Sequence, residues 1–167
     1  MTHQISRADL FRSRIDKRSF PMRPPWARSE SLFVNFCDRT GACSEACEEQ
    51  IIVFGAGGFP EIDFTAGECT FCGACVDACA TDALGPIVND DNSPRQPWDF
   101  HIEVSDACMS VQGVICRVCP EQCDVGAIRF ATPAAIGCPE IDEQKCTGCG
   151  ACIAPCPTGA ISIQPAG

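Results

Sequence analysis

The sequence predicts an α+β protein of short strands and short helices, arranged as two tandem modules behind a basic N-terminal arm. Three observations predict this organisation. A short cysteine-containing unit recurs four times, alternating apolar runs flank the units, and a turn-rich polar stretch separates the second unit from the third. We therefore divide the 167 residues into an arm at 1–36, a first module at 37–88, a linker at 89–99 and a second module at 100–167.

The arm differs in charge from the rest of the chain. Residues 1–36 have seven basic and three acidic side chains, a net charge of +4, whereas the remainder carries −14. An acidic body argues against nucleic acid as a partner, because binding to phosphate needs basic groups. Residues 6–9 have the form of a capping box, so the arm is either a frayed terminus or a short basic helix that docks a partner. The apolar residues on one face of that helix would be Ile5, Ala8, Phe11 and Ile15.

The sequence predicts a cytoplasmic protein without a membrane span. The first thirty residues contain no apolar stretch long enough for the core of a signal peptide. No segment approaches the roughly 20 apolar residues that a membrane helix requires. In a reducing compartment, the sixteen cysteines are expected to bind metal more often than to form disulfides.

The repeated unit is eleven residues long and contains two cysteines four positions apart. This cysteine spacing suits about one helical turn, and the flanking alternating runs are typical of strands. Irregular loops throughout are the alternative. The units lie at residues 42–52, 74–84, 118–128 and 151–161, and the predicted short strands at residues 61–64, 128–130, 140–142 and 161–163.

Two of the units complete a C-x2-C-x2-C-x3-C motif. A cubane iron–sulfur cluster needs four thiolates around it, and in two-cluster ferredoxins the fourth cysteine of this motif ligates the other cluster. Structural zinc sites, the alternative, usually pair two C-x2-C segments across a longer finger. The spacing therefore predicts [4Fe-4S] clusters in two ferredoxin-like modules of the bacterial 2[4Fe-4S] type. The matching cysteines are Cys69, Cys72, Cys75 and Cys79, then Cys146, Cys149, Cys152 and Cys156.

The third motif keeps its last three cysteines, Cys116, Cys119 and Cys123, in register. Its first cysteine, Cys108, precedes them by an insertion at residues 109–115 that could bulge outward. We expect Cys108 to be a ligand, although it could instead be a small buried apolar residue.

The first motif lacks one thiolate. Cys37, Cys43 and Cys47 are in register, but Thr40 occupies the place of the second cysteine. The site could hold a three-iron cluster, a cubane whose fourth iron takes an outside ligand, or no cluster. Asp38 could supply an oxygen. The remaining cysteine, Cys138, could fill the vacancy, but its position in the sequence favours a free thiol.

With crossed ligation, the expected ligands fall into four sets, and three or four clusters are expected. Ligation within each motif would use the same cysteines. The crossed sets are Cys37, Cys43 and Cys79; Cys47, Cys69, Cys72 and Cys75; Cys108, Cys116, Cys119 and Cys156; and Cys123, Cys146, Cys149 and Cys152.

Signals of an enzyme are absent from the sequence. The only two histidines, His3 and His101, lie far apart, and the glycine-rich residues 55–58 lack the lysine of a phosphate-binding loop. We therefore expect one-electron chemistry or cluster handling rather than catalysis.

Several segments between the cysteines resemble the NapF family of ferredoxin-type accessory proteins of periplasmic nitrate reductase systems. They are Arg-Pro-Pro-Trp at 23–26, Gly-Ala-Gly-Gly-Phe-Pro at 55–60, Trp-Asp at 98–99, Ser-Asp-Ala-Cys at 105–108 with the insertion that follows, and the motif at 146–157. The resemblance implies a cytoplasmic protein that binds the precursor of the catalytic subunit, NapA, and assists its maturation before export, through a cluster or redox step. A plain electron-transfer subunit is the alternative. The family pattern has cysteine where this chain has Thr40, and has no counterpart of Cys138.

Overall fold

The computed structural model describes residues 21–132 and 136–165, and in them every helix and strand is short. The helices are α1 (Glu30–Phe36), α2 (Ala42–Glu45), α3 (Ala74–Asp77) and α4 (Val118–Glu121), with a 3-10 turn at Ala56–Gly58. The strands are β1 (Ile52–Phe54), β2 (Pro60–Ile62), β3 (Phe100–Val104), β4 (Ile128–Arg129), β5 (Glu140–Ile141) and β6 (Ile161–Pro165).

The strands pair antiparallel as β1–β2, β3–β6 and β4–β5. In the first two pairs, isoleucines face each other across the ladder, Ile52 opposite Ile62 and Ile102 opposite Ile163. These apolar pairs turn one face of each two-stranded sheet inward. The predicted α+β architecture of short elements is confirmed.

The predicted elements match the observed ones with four exceptions. Each predicted strand overlaps an observed strand, but β1, β3 and α1 were not predicted. The first three units begin in α2, α3 and α4, as the cysteine spacing indicates. In the fourth unit, residues 151–155 form successive turns instead of a helix.

The first core forms around Phe33 of α1, which is fully buried with Ile51 and Ile62. The guanidinium of Arg23 lies 5.0 Å from the centre of the Phe33 ring, and its Nη2 atom is 2.7 Å from Oε1 of Glu30. Residues 22–36, which the sequence analysis grouped with the arm, therefore pack against the first module. The proposed basic helix of the arm lies outside the described residues.

The second core contains Ile102, Ile128 and Ile161, while Ile163 of β6 packs in the first core. The two cores therefore meet at β6.

The predicted linker is also packed against the first module. Trp26 donates its backbone N–H to the carbonyl of Pro97 at 2.8 Å, and the Trp98 indole donates to the carbonyl of Arg23 at 3.0 Å. The Arg95 guanidinium donates to the carbonyl of Gly85 at 3.0 Å. These contacts hold residues 95–98 against the segment that precedes α1. Across the described part of the chain, no helix has the length and apolar character needed to cross a membrane.

Candidate metal centres

Fifteen cysteines gather into four groups, and three of these groups line separate cavities. Each of the three cavities takes cysteines from two different units, because the second cysteine of a unit points away from the first. We name the groups site I (Cys37, Cys43, Cys79), site II (Cys47, Cys69, Cys72, Cys75), site III (Cys108, Cys116, Cys119, Cys156) and site IV (Cys123, Cys146, Cys149, Cys152).

The grouping of site IV rests on the effect that its thiols have on one another's pKa. Burial raises the pKa of Cys146, and the charges of Cys149 and Cys123 raise it further, so these thiols are close neighbours. Cys149 and Cys146 act in the same way on Cys152.

The thiols surround volumes rather than single points. In residues 21–132 and 136–165, no three His, Cys, Asp or Glu side chains converge on one metal ion. Thiols spread around a cavity fit a body that contains several irons, to which each cysteine binds at a separate corner.

Burial makes several thiols poor acids in the protein alone. It raises the pKa of Cys75 and of Cys152 to about 12, and neighbouring thiols add to the effect. It raises the pKa of Cys43, Cys69 and Cys119 to about 11. Such thiols stay protonated at neutral pH, so metal binding must displace their protons and offset the repulsion between thiolates.

In units two and four, the last cysteine has a lowered pKa instead. Burial raises the pKa of Cys79, but hydrogen bonds from the backbone N–H groups of Leu84, Thr81 and Ala83 outweigh it and lower the pKa below its ordinary value. The pKa of Cys156 is lowered similarly, and its sulfur accepts a bond of 3.3 Å from the Ala160 N–H. Donors of this kind stabilise the thiolate as a ligand.

The sequence carried an unused signal for these donors. Units two to four each end in an alanine followed by an apolar residue. In the structure this step brings a backbone N–H to the sulfur of its own unit, as when Ala127 donates to Cys123 at 3.3 Å.

The loop that lacks a cysteine has kept the backbone shape of a complete one. Gly41 has φ +84° and Gly73 has φ +79°, a left-handed conformation that glycine adopts without strain. Two positions earlier, Arg39 and Phe71 have φ +59° and +56°. Residues 37–41 therefore curl as residues 69–73 do, although Thr40 stands where the second loop has a thiol.

Thr40 and Asp38 bind each other at the exposed edge of site I. The hydroxyl and the backbone N–H of Thr40 donate to Oδ1 of Asp38 at 3.0 and 3.2 Å. Both residues are exposed to solvent. The loop thus presents oxygen atoms where site II presents the sulfur of Cys72.

Cys138 lies beside site III, near Cys108. Burial raises its pKa, and the charges of Cys108 and Asp106 raise it further. The neighbouring Gly137 N–H donates to the carbonyl of Ser110 in the insertion. The thiol is exposed and unpaired, so its position favours the free-thiol interpretation over completion of site I.

Comparison with known proteins agrees with this geometry. A 4Fe-4S dicluster domain family matches residues 36–83, which include every cysteine of sites I and II. A 4Fe-4S binding domain family matches residues 139–162. The ferredoxin-type protein NapF of Escherichia coli (strain K12) is 40% identical over 165 residues, which span 98% of this chain and 97% of that protein. The chain belongs to the NapF family.

Other relatives extend this comparison. NapF of Haemophilus influenzae is 41% identical over 86% of this chain and 78% of its own length. The methylamine utilization ferredoxin-type protein MauM of Methylobacillus flagellatus is 30% identical over 93% of this chain and 72% of its own length. This NapF-family chain is a ferredoxin-type iron–sulfur protein that carries several [4Fe-4S] clusters.

Proposed function

We propose that this NapF-family protein is a cytoplasmic iron–sulfur accessory protein that binds the precursor of NapA, the catalytic subunit of periplasmic nitrate reductase. It assists maturation of that precursor before export, by loading a cluster or by a redox step, and is not itself an enzyme. The observation that carries the proposal is the full-length similarity to NapF, together with four groups of cysteines in one small chain.

The proposed ligands are the cysteines of sites I to IV, with ligation crossed between units. Support comes from the cavities, each of which combines cysteines from two units. A bound cluster supplies storage of single electrons. The chain's own part is to supply thiolates, backbone donors and a partly dry environment, all of which tune the reduction potential.

Site I is the part of the protein best suited to exchange with a partner. It has three thiols, and Thr40 and Asp38 at its edge are exposed to solvent. That donor set fits a cubane with three protein ligands, a three-iron cluster or an empty site. If a cluster is bound, an outer group could reach it at this edge without displacing a cysteine.

Anaerobic co-purification tests the proposal. Tagged NapA precursor and an unrelated exported reductase precursor should be expressed in parallel with this protein, and the cytoplasmic fraction captured on the tag. We expect retention with the NapA precursor alone, and iron in the retained complex. No retention would contradict the accessory role.

An electron-transfer subunit is the second candidate function. It is favoured by the close contact between sites II and IV, where the Cys69 N–H donates to the Cys149 carbonyl at 2.8 Å. Failure to retain the NapA precursor, combined with fast reduction of the clusters by a quinol or flavin donor, would support this second function.

A further inference from the structure

Within each module, the two sites share the same pair of cysteine-bearing turns. Cys43 of site I lies in α2 and Cys47 of site II follows that helix directly. In the facing turn, Cys75 of site II lies in α3 and Cys79 of site I follows it. Sites I and II are therefore adjacent, and because units three and four repeat this exchange, so are sites III and IV.

The two modules meet between site II and site IV. The backbone N–H of Cys69 in site II donates to the carbonyl of Cys149 in site IV at 2.8 Å. The second cysteine loop of one module thus contacts the second cysteine loop of the other.

Aromatic side chains fill the rest of this junction. Trp98 lies 5.8 Å from Phe71, ring centre to ring centre, and Phe71 is in the loop of site II. A methyl group added at Gly148, in the loop of site IV, would lie 3.4 Å from the Trp98 ring. Phe64 of the first module packs so closely on Gly150 that an added methyl group would clash with its ring.

We propose that the four sites form one continuous row in the order I, II, IV, III, joined across the modules at Cys69 and Cys149. The spatial order differs from the order in the sequence, because the module junction brings the second site against the fourth. One end of the row is the loop with Thr40, and the other is the Cys108 insertion. The row rests on the proposed ligand sets of the preceding section.

The row predicts which clusters interact magnetically. Dithionite gives one electron to each cubane, taking it from the 2+ to the paramagnetic 1+ state while dithionite is oxidised, with no bond made or broken in the protein. Neighbouring paramagnets split or broaden each other's resonance, and distant ones do not.

Two matched variants of the full chain test the order. One removes ligands of sites I and III (Cys37→Ser, Cys43→Ser, Cys108→Ser and Cys116→Ser), leaving sites II and IV. The other removes ligands of sites II and IV (Cys69→Ser, Cys72→Ser, Cys146→Ser and Cys149→Ser), leaving the two ends. After reduction, we expect strong splitting in the first variant and none in the second.

A milder pair of variants keeps every ligand. Gly150→Ala drives a methyl group into Phe64 across the junction, whereas Gly73→Ala, at the equivalent position of the other loop, has the same left-handed backbone but meets only Ile87 at 3.9 Å. Electron paramagnetic resonance of the reduced proteins should show weaker interaction in Gly150→Ala than in Gly73→Ala.

The possible results distinguish failure of the proposed row from failure of the proposed ligand sets. Iron content that stays at the wild-type level in the serine variants would refute the ligand sets. Iron content that falls to two clusters in the first variant, with a resonance free of splitting, would refute the row alone. Equal interaction in the two alanine variants would show that the junction at Gly150 does not set the spacing of sites II and IV.

Discussion

At the scale of single residues, Thr40 replaces a ligand sulfur with a hydroxyl while the backbone of its loop is unchanged. The loop around it keeps the curl of the complete loop, including the left-handed backbone at Arg39 and Gly41. Only the ligand atom is different, because a hydroxyl hydrogen-bonded to Asp38 stands in place of a thiolate. The loop geometry is therefore ready for a fourth thiolate.

Restoring that thiolate should change the type of cluster. We expect Thr40→Cys to convert a three-iron or empty site I into a [4Fe-4S] site, because the backbone needs no rearrangement. Electron paramagnetic resonance of the oxidised protein and iron analysis would check this. The control, Thr70→Cys, adds a thiol to the neighbouring complete loop and should leave iron content unchanged. An unaltered spectrum and iron content in Thr40→Cys would contradict the prediction.

At the scale of secondary structure, α1 is the element that closes the first module. It is only seven residues long and presents one fully buried side chain, Phe33, which also lines the cavity of site I with Cys37. Arg23 covers the Phe33 ring and the neighbouring Phe59 ring. A helix this short depends on such packing, because its own hydrogen bonds scarcely stabilise it.

Truncating Phe33 should therefore destabilise the module and expose site I. We expect Phe33→Ala to lower the free energy of unfolding by about 3–5 kcal/mol, the usual cost of removing a buried phenylalanine. Phe36→Ala, in the same helix but at a side chain that is 48% exposed, should cost much less. Anaerobic denaturant unfolding would measure both, and similar losses in the two variants would show that α1 does not act through Phe33.

The cysteine spacing predicted most of the site but less of the fold around it. Repeats in the sequence indicated the cysteine turns and most of the strands beside them, because these depend on local patterns. Helix α1 and strand β3 were missed, since their burial depends on partners far along the chain, such as Ile163 opposite Ile102. The packing of Trp98 in the predicted linker was missed for the same reason.

At the scale of the whole molecule, the apolar cores are small and the cysteine sites are built into them. The core around Phe33 includes the buried Cys75, and the second core includes the buried Cys152. Other cysteines pack around both cores. Much of the interior is therefore ordered around the groups that these cysteines bind.

Removal of iron should accordingly unfold the chain, and not only remove the visible absorption of the clusters. We expect anaerobic chelation without denaturant to abolish cooperative unfolding and most slow amide exchange. Without bound iron, the small apolar cores and the buried thiols cannot by themselves stabilise the fold. Circular dichroism and hydrogen exchange before and after chelation would measure this. A colourless protein that still unfolds cooperatively would contradict it.

The pairing of β3 with β6 has a consequence for synthesis. Strand β3 begins the second module, yet its partner emerges from the ribosome only after all the cysteines of that module. Until then β3 has an open edge of the kind that can pair with another nascent chain. In the first module, β1 and β2 are close together in the sequence and can pair as soon as both have emerged. Pairing between nascent chains should therefore affect β3 of the second module first.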